Sequence, residues 1–252
     1  MQAHAPEWYV ISLRPHGAHA GIARAARRHG AGVIALSPWT LVGNPDPLAR
    51  TALAQALACE ATVFTSPAAV RFAAALDSPL ECRCAVAVGA GSRAALRRAG
   101  VSQAQAPTRM DSEGVLALPA LQQARRVGLV TAPGGRELIA TALQARGIQL
   151  VRAEVYRRAP IALSPRARQR LTLLAGTPTC LLASSAQALE QVLEQLTLGE
   201  QQQLQALPVV ASSARLAEQA HALGFARSRI AQGPRPGPLL DAAAHWRSQG
   251  FR

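Results

Sequence analysis

The sequence predicts an α/β protein made of two similar halves, each a parallel sheet flanked by helices. Three observations predict it. Short apolar runs alternate with Ala-rich helical stretches along the chain, the order that builds βα units. The runs show no clean polar alternation, as expected of parallel strands buried on both faces. An ordered set of segments also recurs roughly half a chain later.

Strands are expected at 8–13, 33–36, 62–64, 85–88, 127–131, 150–156, 179–182 and 208–211. Helices are expected at 18–29, 68–75, 93–99, 137–146, 186–196 and 215–223. Four of these segments close on Gly30, Gly100, Gly147 and Gly224, the residue that stops a helix most readily. The Gly-Pro-Arg-Pro-Gly-Pro stretch at 233–238 reads as a rigid turn before a last short helix carrying 241–246.

The repeat has three parts. Gly30 answers Gly147 and Trp39 answers Tyr156, both at a spacing of 117 (147 − 30, 156 − 39). Val63 to Ala68 answers Leu181 to Ala186, with Ser66 opposite Ser184. Gly89, eleven residues before Gly100, answers Ser213, eleven before Gly224. Three matches in one order argue for two related α/β halves.

Composition narrows the function. A 252-residue chain is long enough for one or two domains with real cores. With 49% apolar residues it is not a disordered chain. No apolar run reaches the roughly 18 residues of a membrane span. Residues 1–8 lack the basic head and apolar stretch of a signal peptide, so the cytoplasm is the expected location. All 27 basic side chains are Arg, which removes Schiff-base catalysis, a pyridoxal anchor and a Walker lysine together. A GC-rich genome is the simplest source of that bias. The net charge of +13 attracts polyanions, either nucleic acid or a small molecule bearing several carboxylates. Cys59, Cys82, Cys84 and Cys180 lack the spacing for zinc, iron–sulfur or disulfide sites and are expected to be buried or idle. Aromatic residues, at 4%, are too scarce for a nucleic-acid stacking surface.

The chemistry-bearing residues lie at strand–helix junctions. Thr65-Ser66-Pro67, Gly91-Ser92 and Ser184-Ser185 each place a hydroxyl where a strand ends and a helix begins. Such a junction offers unpaired N–H groups and the positive end of the helix dipole to an anion. For any one junction alone plain N-capping is the better explanation; it is their repetition in two halves that favours a ligand site, since α/β sheets bind ligands at their carboxyl edge. Thr131 to Glu137 is the most phosphate-loop-like stretch, with Gly134 and Gly135 allowing close backbone approach and Arg136 suited to hold a carboxylate bidentately. It is neither GxGxxG nor GK[ST], so a nucleotide site is poorly supported. Arg14 closes the first strand before Pro15, either as an anion ligand or as a surface residue ahead of a helix-starting proline. Tyr156, flanked by Arg157 and Arg158, ends a strand, and Tyr9 looks structural. Asp111 and Glu113 look like a capping loop.

The ordered set resembles one family along nearly the whole chain, uroporphyrinogen-III synthase. The matching pieces are Ser12-Leu13-Arg14-Pro15, Phe64 to Val70, Val86 to Ser92, Ser112 to Leu116, Gly134 to Glu137, Val155 to Arg158, Ser184-Ser185-Ala186 and Leu223-Gly224-Phe225. The resemblance implies two parallel-sheet α/β domains joined by a two-stranded connector, with the active-site cleft between them. Residues 1–37 and 159–252 would form one domain and 41–154 the inserted one, with connectors at 38–40 and 155–158.

It also implies a reaction: cyclisation of linear hydroxymethylbilane to uroporphyrinogen III, with loss of water and inversion of ring D through a spiro intermediate, in haem and sirohaem biosynthesis. The enzyme would be a cyclising hydro-lyase with no cofactor and no metal. Tyr156 matches the tyrosine proposed to protonate the departing hydroxide, which a phenol can do at neutral pH. Ser66, Ser92, Ser184 and Ser185 match carboxylate-binding positions, and Arg14, Thr65, Gly134, Gly135 and Arg136 complete the expected substrate-binding set. The implied partner is the polycarboxylate substrate, with no nucleic acid and no membrane, a monomer, and transient docking of the upstream bilane-forming enzyme left open. Two departures stand out. Ser92 replaces a common Thr, and the second-half hydroxyl expected at Leu216 is missing, so any role there falls to Ser212, Ser213 or Arg215. The competing reading is a non-catalytic two-lobed protein for a small anion.

Overall fold

The computed structural model describes residues 6–109, 112–135, 137–172 and 176–251. The first stretch of chain gives β1 (Trp8–Ser12), α1 (Ala20–Arg28), β2 (Ala31–Ala35) and β3 (Trp39–Gly43). Then come α2 (Leu48–Leu57), β4 (Ala61–Phe64), α3 (Pro67–Leu76), β5 (Ala85–Ala87) and α4 (Ala90–Arg98). Two short helices, α5 (Ser112–Leu116) and α6 (Pro119–Gln123), lead to β6 (Arg126–Thr131), α7 (Glu137–Ala145), β7 (Gln149–Glu154) and β8 (Tyr156–Pro160). The remainder is α8 (Pro165–Thr172), β9 (Thr179–Ala183), α9 (Ala186–Leu193), α10 (Leu198–Gln205), β10 (Val209–Ala211), α11 (Ala214–Ala222), β11 (Ser228–Ile230) and α12 (Pro236–Ser248).

The chain divides into two compact units: Met1–Thr40 with Ala159–Arg252, and Leu41–Arg158. Unit 1 holds a parallel five-stranded sheet in the order β11-β10-β9-β1-β2. Unit 2 holds a parallel four-stranded sheet in the order β5-β4-β6-β7. Parallel strands of this kind need both faces covered, and the burial shows it. Every residue of β4 and of β9 is buried. In unit 2, Phe64, Val130 and Ala153 pack with Val70 of α3 on one face, while Val63, Leu129 and Val86 pack with Ile139 and Leu143 of α7 on the other. In unit 1, Trp8, Val10, Cys180 and Leu182 are covered by Ile22 of α1 and by Leu239, Leu240 and Trp246 of α12.

Each sheet reverses its strand order once. Register pairs Ser12 of β1 with Ala35 on one side and Leu182 on the other, so unit 1 switches between β1 and β9. Phe64 of β4 pairs with Ala87 on one side and Val130 on the other, so unit 2 switches between β4 and β6. The carboxyl ends of strands at such a switch point form a crevice in which doubly wound folds bind ligands.

The internal repeat and the compact units do not coincide. The run β1-α1-β2-β3 is matched by β6-α7-β7-β8, α1 and α7 starting at Ala20 and Glu137 and β3 and β8 at Trp39 and Tyr156. The run β4-α3-β5-α4 is matched by β9-α9-β10-α11. Unit 1 therefore joins the first part of one copy to the second part of the other, and unit 2 takes the complement. The chain crosses between units in β3 and β8, which pair as a two-stranded sheet.

Several elements differ from expectation. The single strand expected at 150–156 is two, β7 and β8, because the chain leaves one sheet at Glu154 and enters another at Tyr156. The last helix, α12, runs 13 residues from Pro236, so the proline-rich stretch supplies its first turn, where proline needs no N–H partner. Strand β11 and helices α2, α5, α6, α8 and α10 are additional.

Candidate active site

In unit 2, four turns gather at the carboxyl edge of the sheet. After β4, Ser66 takes an extended backbone and its Oγ accepts the Ala69 N–H at 3.0 Å, with Pro67 as first helical residue of α3. The Ser66 hydroxyl is also 3.1 Å from the Tyr156 hydroxyl. Tyr156 opens β8, is only 9% exposed, and stacks on Phe72 of α3 with ring centroids 5.4 Å apart and planes 12° from parallel. Asn44, the only asparagine in the chain, fixes the backbone beside it: its side-chain N–H donates to Glu154 O at 2.7 Å and its backbone N–H to Val155 O at 3.0 Å.

Thr65 faces inward. Its buried hydroxyl lies 3.1 Å from both Val130 O and Thr131 Oγ1, and its backbone N–H donates to Val130 O. Thr131 in turn donates toward Gly135 O at 3.2 Å. This line of hydroxyls ties the turn after β6 to the end of β4. Gly134 has φ +64°, and a Cβ on Gly135 would sit 2.4 Å from Thr131 Oγ1, so the turn folds back on Thr131 only because both residues are glycine. Arg136 lies outside the described residues, as does Asp111. Ser92, in the first turn of α4, is 4% exposed. The first turns of α3 and α4 touch, since a Cβ on Gly91 would be 3.3 Å from Pro67. One sheet edge therefore brings together Ser66, Ser92, Gly134, Gly135 and Tyr156.

In unit 1, the carboxyl edge carries Arg14, Ser184 and Ser185. Ser185 caps α9, accepting Ala188 N–H at 3.4 Å, and Ser184 is exposed just before it. Ser185, rather than Ser184, is thus the counterpart of Ser66 as helix cap. Arg14 is half-buried and donates from Nη2 to Pro234 O at 2.7 Å. Burial lowers its pKa, and none of the ion pairs among the described residues involves it. Pro15 does not start a helix; α1 begins at Ala20, and the intervening loop turns at Gly17, φ +78°.

That loop holds residues that sequence reasoning missed. His19 Nδ1 lies 3.0 Å from the hydroxyl of Ser12, at the end of β1, and its Nε2 lies 2.8 Å from the hydroxyl of Ser37, after β2. Both serines are buried. Burial, then the charges of Arg14 and His16, lower the His19 pKa, so the ring is neutral at pH 7 and bridges the two hydroxyls. The repeat held a signal for it: 117 residues before Arg136 is His19 (136 − 117).

Other expectations resolve plainly. Ser213 is spent capping α11 and accepts Leu216 N–H at 3.3 Å, while Leu216 itself is buried. Glu113 pairs with Arg109. Cys59 and Cys180 are buried, and burial pushes Cys180 up to about 12. Among the described residues no group of three His, Cys, Asp or Glu is placed to hold a metal ion, and no helix is long and apolar enough to cross a membrane.

A family model described as uroporphyrinogen-III synthase HemD matches residues 20–241. The chain belongs to the uroporphyrinogen-III synthase family. Solved structures agree in fold. A crystal structure of a mutant uroporphyrinogen III synthase from the extremely thermophilic bacterium Thermus thermophilus superposes with a TM-score of 0.60 at 20% identity, covering 97% of this chain and 100% of that one. Uroporphyrinogen-III synthetase from Helicobacter pylori gives 0.59 at 16% identity, covering 97% and 99%. The paired parallel α/β sheets are thus the fold shared with uroporphyrinogen-III synthases, and membership places the chain in porphyrin and haem biosynthesis.

Proposed function

We propose that this chain is a cyclising hydro-lyase that closes hydroxymethylbilane to uroporphyrinogen III. The observation that carries the reading is the Tyr156 hydroxyl, held by Ser66 at the carboxyl edge of a doubly wound sheet, the edge that also carries Ser92 and the Gly134-Gly135 turn. Departure of the terminal hydroxyl needs a proton, and a tyrosine hydroxyl is a group that can deliver one as a general acid. Breaking that C–O bond releases water and leaves an azafulvenium-like carbon. Ring D attacks it through its substituted carbon, the spiro product fragments, and the ring recloses inverted. The closing carbon loses a proton as it becomes aromatic again, so the acid is restored. Water is lost and no electrons are exchanged, so the reaction asks for no redox cofactor.

The remaining work is conformational, because an unrestrained bilane closes without inversion. Each unit offers a donor set for the substrate's carboxylates. Unit 2 supplies Ser92 and the Gly134-Gly135 turn, with Ser66 beside them, Thr65 anchoring the edge and Arg136 following the turn. Unit 1 supplies Arg14, Ser184 and Ser185. The net charge of +13 draws in a polyanion without selecting it. A cytoplasmic monomer acting on a substrate handed over by the bilane-forming enzyme fits this reading.

The test is a coupled assay in which hydroxymethylbilane is generated in place, the products are oxidised, and isomers are separated. Isomer III formed faster than spontaneous isomer I is the expected result. Isomer I at the uncatalysed rate would leave an anion-binding protein without catalysis.

A further inference from the structure

Helix α3 grips Tyr156 twice, at the hydroxyl through Ser66 and on the ring face through Phe72. A serine hydroxyl has one proton to give and two lone pairs. One lone pair of Ser66 takes the Ala69 N–H. Its proton then has one use: it goes to the Tyr156 oxygen or to a substrate carboxylate, and it cannot serve both. Proton delivery from Tyr156 separates the options. A phenol that gives its own proton outward needs a donor behind its oxygen, and Ser66 is the hydroxyl within hydrogen-bond distance at 3.1 Å. The repeat supplies a contrast. Ser185 caps α9 as Ser66 caps α3, yet the residue 117 before Tyr156 is Trp39, which has no hydroxyl. Of two related junctions, one carries a phenol.

We propose that Ser66 and Phe72 are positioning residues that act through Tyr156. Ser66 donates to the phenol oxygen, which turns the phenol proton toward the departing hydroxide and stabilises the negative oxygen left behind. Phe72 fixes the plane of the ring by stacking on it. In the step itself the substrate C–O bond breaks with its electron pair on oxygen, the phenol O–H bond breaks, and water forms. Ser66 keeps its proton throughout. The proposal rests on the cyclisation reading above, and it moves Ser66 from carboxylate ligand to support of the acid.

The experiment is a kinetic cycle on the full chain in the isomer-resolved assay. Ser66→Gly removes the hydroxyl while keeping a residue that caps helices nearly as well, and Ser66→Thr restores the hydroxyl. Each is measured alone and combined with Tyr156→Phe, with circular dichroism confirming the fold. Ser66→Gly should lower kcat about tenfold, the loss of one hydrogen bond to a charged oxygen, with KM within about twofold. Ser66→Thr should recover most of kcat, and Phe72→Leu should lower kcat with KM again little changed. In the Tyr156→Phe background, Ser66→Gly should change kcat less than about twofold. A raised KM at unchanged kcat, or equal losses in both backgrounds, overturns the proposal and returns Ser66 to the carboxylates. Unchanged kcat in Tyr156→Phe alone is a different failure: it removes the tyrosine from the reaction, and this proposal falls with it.

Discussion

Arg14→Gln separates binding from stability more sharply than other single changes at this edge. In the folded chain the Arg14 guanidinium is half-buried, one contact goes to Pro234 O, and burial lowers its pKa. Most of its five donors therefore wait in a partly desolvated place without an acidic partner among the described ion pairs. A carboxylate arriving there gains a charge-assisted hydrogen bond of about 1.5–3 kcal/mol, so its loss should raise KM roughly 10- to 150-fold. Stability should hardly move. The change gives up one hydrogen bond of about 1 kcal/mol to Pro234 and relieves the burial of a charge in return, so Tm should shift by less than about 4 °C. Arg14→Lys should restore part of the affinity, since it keeps the charge and loses the planar fork. The assay is steady-state kinetics beside thermal unfolding. A folded Arg14→Gln variant with unaltered KM would refute the reasoning and leave Arg14 as a tie between its loop and Pro234.

Two further outcomes are expected. His19 has a folded pKa below its ordinary value of 6.5, through burial and then the charges of Arg14 and His16. The folded state therefore binds fewer protons than the unfolded one in the window just below 6.5, and stability rises with pH there. The stability difference between the parent chain and His19→Gln should be full above about pH 6.5 and change on acidification, read from denaturant midpoints at several pH values; a pH-independent difference contradicts it. Gly135→Ala places a Cβ 2.4 Å from Thr131 Oγ1 and 2.9 Å from Ala132 O, so the turn must shift. About 1–3 kcal/mol of destabilisation should appear as a lowered Tm together with a raised KM, and an unchanged Tm would show that the turn yields freely.

Much of the fold was legible because its strands are buried on both faces. Continuous apolar runs such as Val63-Phe64 and Cys180-Leu181-Leu182, each followed by a small hydroxyl residue, announce a strand and the helix after it. Which strands lie side by side was not legible. Ser12 pairs with Leu182, and nothing in either segment names a partner so distant in sequence. Helix α10 was silent to periodicity because it buries Leu204 alone; its signal was the capping box of Thr197 and Glu200. Helix α2 carries a readable stripe of Ala49, Leu53, Ala56 and Leu57, obscured by the Ala-rich composition around it. At the candidate site, sequence reasoning found the hydroxyls but not their orientation. Thr65 turns inward to Val130 and Thr131, and Ser213 serves its own helix. His19 went unread because its significance comes from two serines on different strand ends, Ser12 and Ser37, and its one signal was its place in the repeat, 117 residues before Arg136.

The most direct measurement is kcat for Tyr156→Phe, with product isomers resolved. The change deletes one hydroxyl and keeps the ring stacked on Phe72, so folding should survive with a loss of about 1 kcal/mol for the bond to Ser66. A proton donor in the transition state contributes roughly 10²- to 10⁴-fold; kcat should fall by that much, and spontaneous isomer I should come to dominate the product. A variant that still makes isomer III at the parent rate would contradict the account.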